Sequence, residues 1–135
     1  MKPLQLLIAV SGIFLLTAAL TFNKTESSSL NTQTDLALMQ IQYITANSAS
    51  CEYVISGTDI ASHGVCANEN GSPNINSKYK ATGMQQSTSG AKKIYKASLK
   101  GLTQKTKYFV RVYIKKTDGT VIYSGEKSFT TLPAK

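Results

Sequence analysis

One stretch decides the fold of this chain: Lys107-Tyr108-Phe109-Val110-Arg111-Val112-Tyr113-Ile114-Lys115-Lys116. Its side chains alternate between two sets. Tyr108, Val110, Val112 and Ile114 form one set, and Phe109, Arg111, Tyr113 and Lys115 form the other. A period of two is the repeat of a β-strand, and an almost wholly apolar set indicates a face buried in a core. The stretch therefore predicts a long central strand.

The segments on either side extend the same pattern. Asp118-Gly119 predicts a tight hairpin with both residues at positive φ, after which Thr120 to Thr131 returns antiparallel. Upstream, further strands are predicted near Met39, Ile41 and Tyr43, over Ala49 to Ser56, over Ile60 to Ala67 and around Tyr95 to Leu99. Residues 68 to 92 have no clear pattern. About seven short antiparallel strands predict an all-β, immunoglobulin-like sandwich of two sheets.

The motif Gly101-Leu102-Thr103-Gln104-Lys105-Thr106-Lys107-Tyr108, with Asp118-Gly119-Thr120 and Ser128-Phe129-Thr130-Thr131 after it, resembles the C-terminal half of fibronectin type III domains. Gly64-Val65-Cys66 after Ile60 is similar to the version common in exported proteins of Bacteroidetes. The resemblance covers Met39 to Leu132. It implies that Tyr108 is the structural tyrosine corner of this fold. It also implies a scaffold for adhesion, spacing or interaction without catalytic residues.

The N-terminus has the pattern of an export signal. Met1-Lys2-Pro3 precedes the uncharged segment from Leu4 to Phe22. We predict that residues 1–22 are a signal peptide cleaved near Ala19 or Thr21, or alternatively an uncleaved N-terminal membrane anchor. Residues 23–37 are then a flexible polar linker, 38–132 the fibronectin type III-like domain and 133–135 a tail. The domain is expected to be secreted, periplasmic or on the cell surface.

The composition offers few groups for catalysis. The chain has one His, two Cys, seven acidic residues and no Trp. His63 is expected at the surface, and the scattered acids do not have the spacing of metal ligands. We therefore predict no catalytic, cofactor-binding or metal-binding residues, and no enzymatic activity.

Cys51 and Cys66 lie on consecutive predicted strands that belong to different sheets of the sandwich. Both side chains could turn inward. A disulfide between them is therefore possible, and in an exported protein such a bond persists. The alternative is two buried thiols that pack as small apolar side chains.

The charge is unevenly distributed along the chain. Residues 1–77 contain two Lys and five acidic residues, net −3, whereas residues 78–135 contain 13 basic and two acidic residues, net +11. Two binding hypotheses follow, beside the plain alternative of a solvated basic surface. The first is binding of an envelope or extracellular protein through an outward face, and the second is binding of an anionic glycan or envelope polymer through the basic half. The face consists of Phe109, Arg111, Tyr113, Tyr123, Lys107 and Lys115. We do not expect nucleic acid as a partner, and membrane contact is expected only through residues 4–22 of an uncleaved leader.

Overall fold

A computed structural model describes residues 34–135, and the predicted leader and most of the predicted linker lie outside this range. The described part contains nine strands: β1 (Asp35–Gln42), β2 (Ser48–Ser56), β3 (Ile60–Asn68), β4 (Tyr79–Ala81), β5 (Met84–Ser89), β6 (Lys92–Lys100), β7 (Lys107–Lys116), β8 (Val121–Tyr123) and β9 (Lys127–Thr130). Because β1 begins at Asp35, residues 35–37 belong to the first strand rather than to the linker. Within residues 34–135, no helix is long and apolar enough to cross a membrane.

The strands form two antiparallel sheets. The first sheet has the order β1-β2-β6-β5, and the second has the order β4-β3-β7-β8, with β9 also paired to β7. The predicted all-β sandwich is therefore confirmed. Two features raise the strand number from the six segments predicted above to nine. The segment between residues 68 and 92 supplies β4 and β5, and the returning segment is divided into β8 and β9 around Ser124, whose hydroxyl accepts the Val112 N–H at 2.9 Å.

The core lies where the alternation placed it. Tyr108, Val110, Val112 and Ile114 of β7 are fully buried, each 0% exposed. They pack in one cluster with the inward side chains of β2, which are Ala49, Cys51, Tyr53 and Ile55. Full burial of a large apolar side chain stabilises the folded state by about 1.5–3 kcal/mol. The inward side chains of β2 and β7 therefore form the contact between the two sheets.

The turn between β7 and β8 differs from the expected tight pair. Gly119 has a φ of 94°, but Asp118 is not among the residues at positive φ. The Lys116 N–H donates to the Thr120 carbonyl at 2.8 Å, and the Gly119 N–H donates to the Lys116 carbonyl at 3.0 Å. The connection is thus a longer turn with a single left-handed glycine. The Asp118 side chain instead accepts the Thr120 N–H at 2.9 Å.

Tyr108 fixes the crossing between the sheets at the opposite end of β7. Its hydroxyl oxygen accepts the N–H of Thr103, five residues upstream, at 2.8 Å. The Thr131 hydroxyl donates to the Thr103 carbonyl at 2.6 Å. This is the hydrogen bond that a tyrosine corner makes, and it anchors the loop before β7 to the core.

Candidate functional site

The expected binding face on the outer side of the second sheet is covered by the chain itself. Residues 69–78, here called the covering segment, fold back over it. Arg111 donates to the Pro73 carbonyl from Nε at 2.8 Å and from Nη2 at 2.6 Å. Its guanidinium carbon lies 4.3 Å from the centroid of the Tyr123 ring, and the Tyr123 hydroxyl accepts the Ile75 N–H at 3.0 Å. Arg111 and Tyr123 therefore bind the covering segment of the same chain.

The other members of that face do not form a continuous accessible surface. Tyr113 is only 8% exposed. Phe109 is half-buried, and the Lys107 ammonium lies 5.1 Å from its ring centroid. Lys107 and Lys115 are exposed, as expected. The structure thus corrects the expectation of an open aromatic stripe, because Arg111, Tyr113 and Tyr123 are used internally.

The two cysteines are free thiols on different sheets: Cys51 lies on β2 of the first sheet and Cys66 on β3 of the second. Cys51 belongs to the core between the sheets. Cys66 is 0% exposed but lies outside that cluster, paired in register with Lys80 and Arg111, and its Sγ donates to the Arg111 carbonyl at 3.6 Å. Burial raises the pKa of Cys51 to about 12 and that of Cys66 to about 11. The structure therefore does not bring the possible disulfide partners together, because β3 lies between the core and the Cys66 side chain.

A different surface remains open on the outer side of the first sheet. Alternation along β6 turns three lysines away from the core: Lys92 and Lys100 are exposed and Lys96 is partly exposed. Tyr43, just beyond β1, has a φ of 51° and is 70% exposed. The Lys96 ammonium lies 4.6 Å from the centroid of its ring. We call these four residues the Tyr43 face.

Polar groups surround the Tyr43 face. The Gln40 side-chain amide donates to the Glu52 carboxylate at 3.3 Å, and Glu52 is the register partner of Lys96. Ser98, between two of the lysines, is exposed. An open aromatic ring beside cations, amides and hydroxyls can pack against a ligand and hydrogen-bond to its edge. Tyr43 was expected to continue the first strand, so its exposed position was missed.

A cleft opens between the two sheets at the end where β3 and β6 begin, with a volume of about 440 Å³. His63, which was expected at the surface, forms part of its wall. It packs on Tyr95 with 4.3 Å between the ring centroids. The cleft is lined by Ile55, Ser56, Gly57, Ile60, Ala61, His63, Ala91, Lys93 and Tyr95.

A chain of hydrogen bonds connects the His63 ring to Tyr53 and Gly83. The Gly83 N–H donates to the Tyr53 hydroxyl at 2.9 Å, and that hydroxyl lies 2.9 Å from His63 Nδ1. Since Tyr53 accepts from Gly83, its own proton is free to go to Nδ1. Burial, and secondarily the Lys93 charge, lowers the pKa of His63. The lowered pKa favours the neutral imidazole, and a Tyr53 proton directed at Nδ1 favours the tautomer with the His63 proton on Nε2.

No group of three or more His, Cys, Asp or Glu side chains within residues 34–135 could hold a metal ion. The groups that the structure does assemble are therefore the Tyr43 face and the cleft.

Comparison with known proteins gives a likeness of fold. No protein-family model matches the chain, and no curated protein matches it. Among solved structures, the sensor domain of the anti-sigma factor RsgI4 of Pseudobacteroides cellulosolvens is 18% identical, with a TM-score of 0.53 over 76% of this chain and 93% of that chain. Purple acid phosphatase PPD1 of yellow lupin is 17% identical, with a TM-score of 0.54 over 75% of this chain and 19% of that chain. A fibronectin type III domain of the human KIAA0970 protein is 13% identical over 74% of each chain, with a TM-score of 0.48.

The strand order and the Tyr108 corner define the class of fold. Two antiparallel sheets with the orders β1-β2-β6-β5 and β4-β3-β7-β8 make a fibronectin type III-like sandwich. The expected resemblance is therefore confirmed at the level of the fold. Because one fold carries many functions, the function must be argued from the surfaces.

Proposed function

We propose that this chain is an exported, non-enzymatic binding module whose ligand is an anionic glycan of the cell envelope or the extracellular space. The observation that carries the proposal is the Tyr43 face, where an exposed aromatic ring lies beside a lysine ammonium on an open sheet. The face proposed for protein binding is less suitable, because the covering segment occupies Arg111 and Tyr123. Export rests on the apolar leader, which lies outside the described residues.

The chemistry of the Tyr43 face fits a charged sugar chain. A pyranose ring has an apolar face of C–H groups that packs flat on an aromatic ring, and Tyr43 offers such a ring. Carboxylate or sulfate groups on the same chain would pair with Lys92, Lys96 and Lys100. Successive lysines are four residues apart on one strand, so their Cα atoms are separated by about 13 Å. A ligand with regularly spaced negative charges can therefore contact several of them at once.

The overall charge supports the same class of ligand. The segment from residue 78 to 135 has a net charge of +11. Such a field attracts polyanions over a distance comparable with the Debye length, about 10 Å at 0.1 M salt, and is screened as salt increases. All but one of the basic residues in this segment are Lys. Lysine is a mobile point charge, which suits the irregular positions of anions on a flexible polymer better than a fixed bidentate geometry does.

The test compares two triple variants with the same change in net charge. We expect the chain to bind polygalacturonate but not neutral dextran. Lys92→Gln/Lys96→Gln/Lys100→Gln should weaken binding about 3- to 150-fold, because each of three exposed ion pairs contributes about 0.2–1 kcal/mol. The control is Lys105→Gln/Lys107→Gln/Lys115→Gln, whose lysines are exposed elsewhere. Tyr43→Ala alone should also weaken binding.

Two results would reject this function. If both triple variants weaken polygalacturonate binding equally, only the net charge matters and the Tyr43 face is not a site. If the unaltered chain binds no polyanion at low salt, anionic glycans are not its ligands. Binding should be measured at several salt concentrations, because an electrostatic contribution must decrease with ionic strength.

A further inference from the structure

The cleft between the sheets is a second place where a ligand could bind, and it shares no residue with the Tyr43 face. Its volume of about 440 Å³ lies within the range of small-molecule sites, about 300–1,000 Å³. It opens where the start of β3 faces the start of β6, beyond the short strand β4, which pairs only with Val65–Ala67 of β3. Because β4 does not extend to the start of β3, this end of the sandwich is open.

One wall of the cleft carries a hydrogen-bond donor that is fixed in place. The Tyr53 hydroxyl holds Nδ1 of His63, and Tyr53 is itself 0% exposed and held by Gly83. The ring is packed on Tyr95 as well. With Nδ1 occupied on the core side, the Nε2–H on the other side of the imidazole is left to donate to a ligand. A donor held in this way loses little entropy on binding.

Lys93 places a positive charge in the same cleft. It is exposed, lines the cleft and lies close enough to His63 to lower the pKa of the imidazole. A neutral N–H donor and an ammonium together match the two oxygens of a carboxylate. The Ser56 hydroxyl and the Tyr95 ring, which also line the cleft, suit the hydroxyl groups and the C–H face of a sugar.

We propose that this cleft binds a single sugar acid of the hexuronate type, with its carboxylate between His63 Nε2–H and the Lys93 ammonium. The choice of a sugar as the body of the ligand rests on the proposed function, whereas the carboxylate position rests on the cleft alone. The cleft would take one residue or chain end, and the Tyr43 face would take an extended segment. The two sites can therefore fail separately.

His63 is the only histidine of the chain, so its ring signals report on the cleft without assignment ambiguity. The experiment is a nitrogen-detected NMR titration of the folded chain with glucuronate. Glucose serves as the matched neutral sugar and acetate as the carboxylate without hydroxyls. A ligand of this size should bind with a Kd of about 1 mM. Before ligand is added, the spectrum should show the Nε2–H tautomer.

Binding should also raise the pKa of His63. The charged and titratable groups that face the imidazole are Lys93, Tyr53 and Tyr95. None of them is an anion at pH 7, so the unliganded cleft disfavours the imidazolium. A bound carboxylate adds the missing negative charge and stabilises the protonated ring. Saturating glucuronate is therefore expected to shift the titration of His63 to higher pH, whereas glucose should leave it unchanged.

The variants separate the cleft from general charge. Lys93→Gln should weaken glucuronate binding about tenfold, as expected for loss of a charge-assisted hydrogen bond. Lys105→Gln, with the same charge change at an exposed lysine outside both the cleft and the Tyr43 face, should leave it unchanged. The inference is overturned if glucuronate gives no saturable shift at about ten times the expected Kd, if acetate binds as tightly, or if both variants behave alike. If the unaltered chain binds polygalacturonate but not glucuronate, the cleft proposal is refuted and the Tyr43 face is not. If it binds glucuronate but not polygalacturonate, the Tyr43 face is refuted and the cleft is not.

Discussion

The covering segment is predicted to depend on one side chain, Arg111. It contributes two hydrogen bonds to the Pro73 carbonyl and a stacked contact with Tyr123. Beneath this arrangement Cys66 is 0% exposed, although it lies on the outer side of the sheet. Replacing Arg111 by Gln removes the charge and shortens the side chain. We expect the covering segment to open and Cys66 to become accessible.

The expected magnitude follows from the contacts. A hydrogen bond from a charged donor contributes about 1.5–3 kcal/mol, and a cation over an aromatic ring contributes about 0.5–2 kcal/mol. Other anchors of the segment remain: the Ser72 N–H still donates to Glu126 at 2.6 Å, the Ile75 N–H still donates to Tyr123, and the Lys80 ammonium still donates to the Ile75 carbonyl at 2.8 Å. A net loss of about 2–4 kcal/mol would raise the population of the open state about 30- to 1,000-fold.

The assay is alkylation by iodoacetamide, with each cysteine peptide quantified by mass spectrometry. In the closed state the Arg111 charge opposes the effect of burial and lowers the pKa of Cys66. Removing that charge alone would therefore slow labelling, so faster labelling reports greater exposure of the Cys66 thiol and not a change in its pKa. Cys51 is the internal control, because it lies in the core and should stay protected. Lys115→Gln is the matched variant for loss of one positive charge on β7.

Two outcomes would refute this reasoning. If Cys66 in Arg111→Gln reacts no faster than in the unaltered chain, Arg111 does not hold the covering segment. If Cys51 and Cys66 accelerate together, the variant has lost global stability and the segment is not a separate unit. If Cys66 is alkylated equally fast in Lys115→Gln, the loss of a positive charge, and not the opening of the covering segment, is the cause.

Two further predictions concern the scaffold. Gly64→Ala should destabilise the chain by about 1–3 kcal/mol, because the new Cβ would lie 2.5 Å from the Ala81 carbonyl oxygen. Urea denaturation measures this loss of stability. The control Gly125→Ala should be nearly neutral, because its new Cβ would meet nothing within 4 Å. A Gly64→Ala chain as stable as Gly125→Ala would contradict the tight packing of β4 on β3. Tyr108→Phe should cost about 1–3 kcal/mol in the same assay, because the Thr103 N–H loses its acceptor; an unchanged midpoint would show that this hydrogen bond contributes nothing.

The parts of the fold that were predictable are those with a regular pattern. Strict alternation in β2 and β7 has a direct physical cause, since one face of each strand meets the core and the other does not. The tyrosine corner was expected from the resemblance to fibronectin type III domains, and its hydrogen bond joins residues close in the chain, with Thr103 five residues before Tyr108. Local sequence is sufficient where the deciding contacts are local or periodic.

Other features depended on contacts between distant residues. Gly64 to Ala67 are buried without interruption, so alternation could not show that Cys66 faces away from the core. The covering segment is positioned by Arg111 and Tyr123, which lie 38 and 48 residues from their partners in it. No local signal identifies such contacts. Tyr43 leaves the strand with a φ of 51°, which the sequence does not reveal for a non-glycine residue.

The position of the two thiols has a consequence for how the chain matures. Along the proposed export route it would reach an oxidising compartment before or during folding. In the unfolded chain Cys51 and Cys66 are close in sequence and meet readily. A disulfide formed at that stage would be a covalent trap, because the finished sandwich holds the two sulfur atoms on opposite sides of the second sheet. Once the sheets have closed, both thiols are buried and protonated at neutral pH, so oxidation should affect the incompletely folded chain far more than the native protein.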